Sequence, residues 1–183
     1  MTRLFDILFS FFGLVLLSPV LIVLLIIGCF DTGSPIFRQE RVGKGMKPFY
    51  LMKFRSMQIN APSVATHLAS SSSITRFGGF LRKSKLDELP QLWNVLVGDM
   101  SLVGPRPNLF NQEELIELRE SLRVYSVRPG ITGLAQINKI DMSTPQLLAE
   151  LDARMIYDFN ALNYFKYIFL TIFGRGFGDR IKN

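Results

Sequence analysis

The sequence predicts an α+β fold that is mainly helical, with an N-terminal membrane helix, a β-hairpin packed on helices, and interfacial amphipathic helices. Three observations predict it: an uncharged apolar run at 7–30, alternating strand patterns around a glycine-rich turn within 36–57, and amphipathic helical patterns from residue 111 onward. The chain of 183 residues contains no internal repeat. We therefore expect one membrane helix, residues 1–32, followed by one domain, residues 33–183.

The apolar run ILFSFFGLVLLSPVLIVLLIIGCF carries no charge over 24 residues. A helix of that length reaches about 36 Å, enough to cross a hydrocarbon core of about 30 Å. Ser18-Pro19 interrupts the run at its centre, because Pro19 removes a helical hydrogen bond, and each remaining arm reaches about half a bilayer. Basic residues after the run place its second end in the cytoplasm. The residues alone leave two topologies open, a kinked single span and a re-entrant helix-break-helix.

Residues 36–57 predict a β-hairpin in which IFRQERV and PFYLMKFRSM flank the turn Gly43-Lys44-Gly45. The strand period of two places the cations Lys53 and Arg55 on one face and Tyr50, Met52 and Phe54 on the other. Two cations on one face suit an anion and suit plain solvent exposure equally well.

Three further segments after the hairpin carry recognisable patterns. Residues 60–75 are rich in Ser and Ala and predict a mobile loop. Residues 111–125 predict a charged amphipathic helix, with Asn111 and Glu114 spaced as a capping box. Residues 127–138, VRPGITGLAQIN, predict a turn followed by an extended stretch.

The C-terminal part predicts two more helices. Thr144-Pro145 begins the first, with Thr144 as N-cap and Pro145 as its first helical residue, and it runs to about residue 160. Residues 162–183 are rich in aromatic side chains and carry four basic ones: Lys166, Arg175, Arg180 and Lys182. This composition is typical of an interfacial helix that lies in the membrane plane, and a packed core helix is the alternative.

Basic residues concentrate between Arg38 and Leu86, where ten Lys or Arg stand against one acid, Glu40. Such an excess attracts phosphates, nucleic acid or anionic lipid, unless it is only a solvated face. Cys29 and His67 are the only residues of their types, which excludes a disulfide framework and argues against a zinc site. Because nothing around His67 resembles a nucleophile site, nucleophilic or acid–base chemistry falls to carboxylates.

The candidate carboxylates are Asp87 and Glu88, in the stretch LRKSKLDELPQLWNVLVGDMSLVGPRP. Because proline is tolerated only near a helix start, Pro90 predicts Asp87 as N-cap, or else Ser84 as N-cap with a kink at Pro90. In the first case the acids lie at the positive end of a helix dipole, where phosphate also binds. Three cations lie just upstream: Arg82, Lys83 and Lys85.

These residues together predict phosphoryl transfer. One carboxylate can attack phosphorus, a second can hold Mg²⁺, and the cations can stabilise the charge of the transferring group. A solvated surface pair of acids is the alternative.

The same stretch resembles the signature of the bacterial sugar transferase family, in particular its small monotopic phosphoglycosyl transferases. The resemblance covers nearly the whole chain, because four more blocks follow the family order: the apolar run with its central Ser-Pro, IFRQERVGKGMKPFYLMKFRSM, VRPGITGLAQIN and LLAELDARMIY. It implies an enzyme on the cytoplasmic face of the bacterial inner membrane that moves a sugar-1-phosphate from a UDP-sugar to undecaprenyl phosphate and releases UMP. It further implies a covalent aspartyl-phosphosugar intermediate, ping-pong order, and the first membrane step of glycoconjugate assembly.

The resemblance also implies roles for individual residues. Asp87 is the nucleophile, Glu88 is its partner, and both help to hold Mg²⁺. Six residues are implied to bind substrate: Lys53, Arg82, Arg106, Arg128, Pro105 and Pro107. The N-terminal helix is implied to be re-entrant and broken at Ser18 and Pro19, which makes the protein monotopic.

The implied partners are a UDP-sugar, undecaprenyl phosphate and the phospholipid bilayer, with no nucleic acid and with a homodimer left open. Several UDP-hexoses fit the implied reaction. The alternative function is that of a non-enzymatic, membrane-tethered scaffold that binds anionic lipid through its basic face. In that case the two acids would only cap a helix.

Overall fold

Within residues 2–61 and 71–173, which the computed structural model describes, the chain forms eight α-helices and four short β-strands. The helices are α1 Thr2–Leu16, α2 Ser18–Thr32, α3 Arg76–Ser84, α4 Gln91–Val97, α5 Glu113–Ser121, α6 Leu134–Ile137, α7 Pro145–Tyr157 and α8 Ala161–Ile172. The strands are β1 Ile36–Val42, β2 Pro48–Phe54, β3 Ser101–Val103 and β4 Gly130–Thr132. The predicted α+β class with mainly helical content is confirmed.

The N-terminal helix breaks at the predicted Ser-Pro. Helix α1 ends at Leu16, α2 begins at Ser18, and the two helices are bent by 64° relative to one another. Pro19 has no N–H to donate to the carbonyl of Val15, and the Ser18 hydroxyl donates to that carbonyl instead, at 2.7 Å. No single helix of the described part is long and apolar enough to cross a membrane, although α1 and α2 taken together have the length and composition.

Helix α1 buries two polar side chains against the protein and leaves most of its apolar side chains exposed. Its buried residues are Asp6 and Ser10. The Asp6 carboxylate accepts hydrogen bonds from Ser101 Oγ and Leu102 N, both at 3.0 Å, and from Tyr164 Oη at 2.8 Å, which ties α1 to β3 and α8. The exposed apolar side chains of α1 and α2 include Leu4, Phe11, Phe12, Leu16, Ile22, Val23 and Phe30. An exposed apolar surface of this extent suits an apolar environment.

Strands β1 and β2 form the predicted antiparallel hairpin, with every residue of one strand opposite a residue of the other. In the turn Gly45 has φ of +64°, a conformation that favours glycine. Helix α4 packs on this hairpin through Asn94. Its Oδ1 accepts from Met52 N at 2.9 Å, and its Nδ2 donates to the carbonyl of Tyr50 at 2.8 Å. The hairpin therefore packs on helices, as predicted.

A second sheet, which the sequence did not predict, pairs β3 with β4 in parallel. Ser101 lies opposite Gly130 in this pair. The pairing brings the GPRP segment after β3 beside the RPG segment before β4. A Cβ on Gly104 would lie 2.4 Å from the carbonyl oxygen of Arg128, so only glycine permits this approach. The predicted extended stretch at 127–138 is correspondingly short, because α6 follows β4 directly.

The predicted capping box of α5 is wrong. The helix begins at Glu113, and Gln112 occupies the N-cap position without a side-chain cap hydrogen bond. The Gln112 side chain instead accepts from Leu109 N at 2.9 Å, which fixes the preceding turn. Asn111 and Glu114 therefore do not pair across the helix start.

The last two helices lie close to their predicted positions. Helix α7 begins at Pro145 as predicted, with Thr144 in the N-cap position but without a side-chain cap hydrogen bond. Helix α8 buries Tyr164 and Tyr167 and exposes much of its other face. Its interfacial placement stays a prediction. Three of its predicted basic residues, Arg175, Arg180 and Lys182, and most of the predicted mobile loop, residues 62–70, lie outside the described residues.

Candidate active site

Asp87 and Glu88 lie in a 3₁₀ turn between α3 and α4. Lys85 follows the last residue of α3 as its C-cap and has a left-handed φ of +60°. Pro90 occupies the N-cap position of α4. Both predicted helix starts are therefore wrong. Ser84 is the last residue of α3, and Asp87 lies between two helices because Lys85 redirects the chain before α4 begins.

The two acids are buried, with 2% of Asp87 and 9% of Glu88 exposed. The alternative of a solvated surface pair is thereby excluded. Burying a carboxylate is costly unless a hydrogen bond or an opposite charge compensates it. Glu88 has such a partner, since its Oε1 accepts from Arg106 Nη2 at 2.8 Å.

Arg82 is held at the site by close docking of α3 on the end of the hairpin. A Cβ on Gly78 would lie 2.0 Å from the carbonyl oxygen of Ser56, so glycine is required there. One helical turn later, Arg82 Nε donates to Ser56 Oγ at 2.8 Å. Its Nη1 is buried and has no hydrogen-bond partner among the described residues. A guanidinium fixed at Nε and with Nη1 still available suits a phosphate oxygen.

Lys53 lies on the inward face of the hairpin, with 6% of its surface exposed. For Lys53 the alternative of plain solvent exposure is wrong. Its Nζ lies 5.8 Å from the centroid of the Phe37 ring, and Arg55 Cζ lies 5.3 Å from the same centroid. Strand β2 and helix α3 both pack against the 3₁₀ turn of the acids. Neighbouring segments therefore carry Lys53, Arg82 and the two carboxylates.

Arg106 follows β3 and lies between two buried prolines. The carbonyl of Pro105 accepts from Gly130 N at 2.9 Å, and the carbonyl of Pro107 accepts from Arg41 Nη1 at 3.1 Å. The prolines thus belong to a fixed backbone segment that aims Arg106 at Glu88. Their own contact with substrate stays a prediction.

Arg128 lies apart from the two acids. Its Nε donates to the carbonyl of Gly98 at 2.7 Å, just beyond the C-terminus of α4, whereas Asp87 and Glu88 precede the N-terminus of that helix. Arg128 also lines a separate cavity of about 240 Å³, beside Arg3. Arg128 is therefore anchored at the opposite end of α4 from the two acids.

A family model described as bacterial sugar transferase matches residues 1–176. The chain belongs to the bacterial sugar transferase family. The UDP-glucose:undecaprenyl-phosphate glucose-1-phosphate transferase of Klebsiella pneumoniae is 40% identical over an alignment of 188 positions, which covers 96% of this chain and 40% of that protein. The protein of the same name in Escherichia coli (strain K12) is 39% identical over an alignment of 185 positions, with the same coverage of each chain.

A shorter relative is the "Uncharacterized sugar transferase EpsL" of Bacillus subtilis (strain 168), 38% identical over 171 residues. That match covers 93% of this chain and 84% of the relative. The chain spans 40% of the length of the Klebsiella pneumoniae and Escherichia coli relatives. The family predicted from the DELPQL and GPRP motifs is confirmed.

Asp87 and Glu88 are compatible with a magnesium ion that is coordinated both by protein carboxylates and by substrate phosphates. The described residues contain no group of three or more His, Cys, Asp or Glu side chains that could hold a metal. Mg²⁺ commonly takes one or two carboxylates and completes its shell with phosphate oxygens and water. Asp87 and Glu88 supply that number of carboxylates, next to cations that suit phosphate.

Sequence reasoning missed three buried charges near the site: Arg41, Arg119 and Asp152. The sequence does contain a signal for two of these charges, Arg119 and Asp152. Arg119 follows Leu115 by one helical turn, and Asp152 follows Leu148 by one turn, so each charge lies in phase with a buried apolar face. A charge on such a face predicts a buried partner, because Arg and Asp are almost never fully buried without one.

Proposed function

We propose that this member of the family transfers a sugar-1-phosphate from a UDP-sugar to undecaprenyl phosphate and releases UMP. The observation that carries the proposal is a buried carboxylate, Asp87, adjacent to a second carboxylate, Glu88, that a guanidinium already engages. The family membership and the names of the relatives support the substrate classes. In this proposal the chain catalyses the first membrane step of glycoconjugate assembly.

Asp87 acts as the nucleophile in two half-reactions. In the first, a carboxylate oxygen forms a bond to the phosphorus that carries the sugar, the bond from that phosphorus to the bridging oxygen breaks, and UMP leaves with the bridging oxygen. In the second, an oxygen of undecaprenyl phosphate bonds to the same phosphorus, and the bond to Asp87 breaks. The two phosphate substrates thus use one site in turn, which gives ping-pong order.

The basic side chains bind the phosphate oxygens as charge shifts between them. Arg82 lies on α3 and Lys53 on β2, which both pack against the turn of the acids, and Arg106 contacts Glu88 from the segment after β3. Fixed donors aimed at developing negative charge stabilise it without reorganisation. Asp87 and Glu88 would also hold Mg²⁺, which neutralises phosphate charge when it is bound. Glu88 meanwhile keeps Arg106 oriented at 2.8 Å.

We further propose that α1 and α2 form a re-entrant membrane helix and that the domain after it lies on the cytoplasmic face of the bacterial inner membrane. The 64° bend at Ser18 and Pro19 and the outward apolar side chains support this placement. Helix α8 would lie in the interface, with its exposed aromatic face toward lipid. The acids would then face the headgroup level, where a lipid phosphate lies.

Cysteine labelling tests the re-entrant topology. Because Cys29 is exposed, a Cys29→Ser background is needed, into which Thr2→Cys and Lys44→Cys are introduced singly. Both cysteines should react with a membrane-impermeant maleimide in inverted vesicles, and neither should react in intact spheroplasts. Labelling of Thr2→Cys in spheroplasts only would show a single span and contradict the re-entrant helix.

The reaction itself is tested with the purified chain and a panel of radiolabelled UDP-sugars. With one of them, multiple-turnover UMP release should require undecaprenyl phosphate and Mg²⁺. Without the lipid phosphate, release should stop at about one UMP per protein, because the covalent intermediate accumulates. Salt-sensitive liposome binding without UMP release from any sugar would instead favour the scaffold.

A further inference from the structure

Hydrogen bonds from other parts of the chain hold the backbone of residues 105–108 in place. Its two prolines have no N–H, so the segment contributes few backbone donors of its own. All four of its carbonyls accept hydrogen bonds from other parts of the chain: Pro105 from Gly130 N at 2.9 Å, Arg106 from Arg119 Nη1 at 2.9 Å, Pro107 from Arg41 Nη1 at 3.1 Å, and Asn108 from Val42 N at 3.0 Å. The direction in which the Arg106 side chain leaves this segment therefore depends on these donors.

The Arg119 side chain donates two hydrogen bonds to this segment. The side chain is 1% exposed, and its Nη1 donates both to the carbonyl of Arg106 and, at 2.8 Å, to Asn108 Oδ1. Its Nε and Nη2 donate to Asp152 Oδ2 at 3.1 and 2.6 Å. Tyr125 Oη donates to the same Asn108 oxygen at 3.1 Å. One guanidinium thus links α5, α7 and the segment that carries Arg106.

A buried ion pair of this kind contributes little net stability compared with apolar side chains of the same size. Burial raises the pKa of the Asp152 carboxyl, and the Arg119 guanidinium opposes that rise. The ion pair instead fixes the orientation of the Arg119 guanidinium. A planar guanidinium held on two nitrogens by Asp152 presents its remaining nitrogen, Nη1, along one line. Along that line lies the carbonyl of Arg106.

We infer that Arg119, oriented by Asp152, positions Arg106 against Glu88 and is therefore a positioning residue of the active site. Arg119 itself does not touch the carboxylates. It fixes the carbonyl of Arg106 at 2.9 Å, and from that fixed backbone the Arg106 guanidinium reaches Glu88 at 2.8 Å. The inference rests on the proposed transferase function.

A double-mutant cycle tests it. Asp152→Asn keeps the size of the side chain but removes the charge that orients Arg119. In the wild-type background we expect it to lower kcat for UMP release about 10- to 100-fold with little change in KM for the UDP-sugar, since small misplacements of a positioned group have effects of this size. In an Arg106→Met background it should lower kcat by less than about 2-fold, because the positioned group is already absent.

Arg119→Lys in the same cycle provides a second variant, since Lys keeps the charge beside Asp152 but loses the fork toward Arg106. The matched control is Asp158→Asn, which breaks the exposed pair that Arg154 and Asp158 form at 3.7 Å on the end of α7. It should leave kcat unchanged.

Equal losses of kcat in both backgrounds would show that the pair only supports the fold, and would overturn the inference while the transferase function stands. Loss of folding in both variants would also overturn it. If the wild-type protein releases no UMP from any UDP-sugar, the proposed function fails, and the inference fails with it.

Discussion

Replacing Asp87 with Asn should abolish UMP release, with kcat reduced by about 10³-fold or more, as expected for loss of a covalent nucleophile. Asn has the size of Asp, but its amide oxygen is a far weaker nucleophile than a carboxylate and forms no stable bond to phosphorus. Radiolabelled sugar-phosphate should remain attached to the wild-type protein after denaturation and should be missing from the variant. Both measurements use the UDP-sugar that the wild-type protein accepts.

The control for Asp87→Asn is again Asp158→Asn, which makes the same chemical change at an exposed position just beyond the end of α7. It should keep both UMP release and the covalent label. The thermal midpoint of Asp87→Asn should stay close to that of the wild type, so that lost activity is not lost folding. Turnover of Asp87→Asn within about 10-fold of the wild type would show that another group attacks phosphorus.

Elements that depend on local chemistry could be predicted from the sequence. The break at Ser18 and Pro19 follows from a missing N–H, and the hairpin follows from two alternating strands around Gly45. The start of α7 at Pro145 follows from the fixed φ of proline. Each of these features is determined by residues that lie near it in the sequence, and none needs a partner from a distant part of the chain.

Elements that depend on distant contacts could not be predicted. Strands β3 and β4 have three residues each and exist because segments about 30 residues apart in the chain pair with one another. The helix start near the acids was predicted wrongly, because Lys85 takes a left-handed φ that local sequence does not demand. Burial of Lys53 likewise depends on the packing of β2 against the turn of the acids. The DELPQL and GPRP motifs located Glu88 and Arg106 in the sequence, but only the fold brings their side chains together.

Replacing Glu88 with Gln should lower kcat/KM for the UDP-sugar by about 10²-fold, the usual effect of removing one preorganised electrostatic contact. Gln can still accept a hydrogen bond from Arg106, but it brings no negative charge to orient the guanidinium or to bind a cation. The Mg²⁺ concentration that gives half-maximal UMP release should also rise, by about 10-fold or more. Glu114→Gln, at an exposed position on α5, is the matched control and should change neither quantity.

The two roles of Glu88 can be separated with Arg106→Met, which removes the guanidinium and leaves the carboxylate. If Glu88 both orients Arg106 and binds Mg²⁺, Arg106→Met should lower the rate with an unchanged Mg²⁺ requirement, and Glu88→Gln should alter both. An unchanged Mg²⁺ dependence in Glu88→Gln would remove the metal role and leave the 2.8 Å contact with Arg106 as its contribution. The measured quantity is UMP release as a function of Mg²⁺ at saturating UDP-sugar, because substrate phosphates complete the proposed metal shell only in the bound complex.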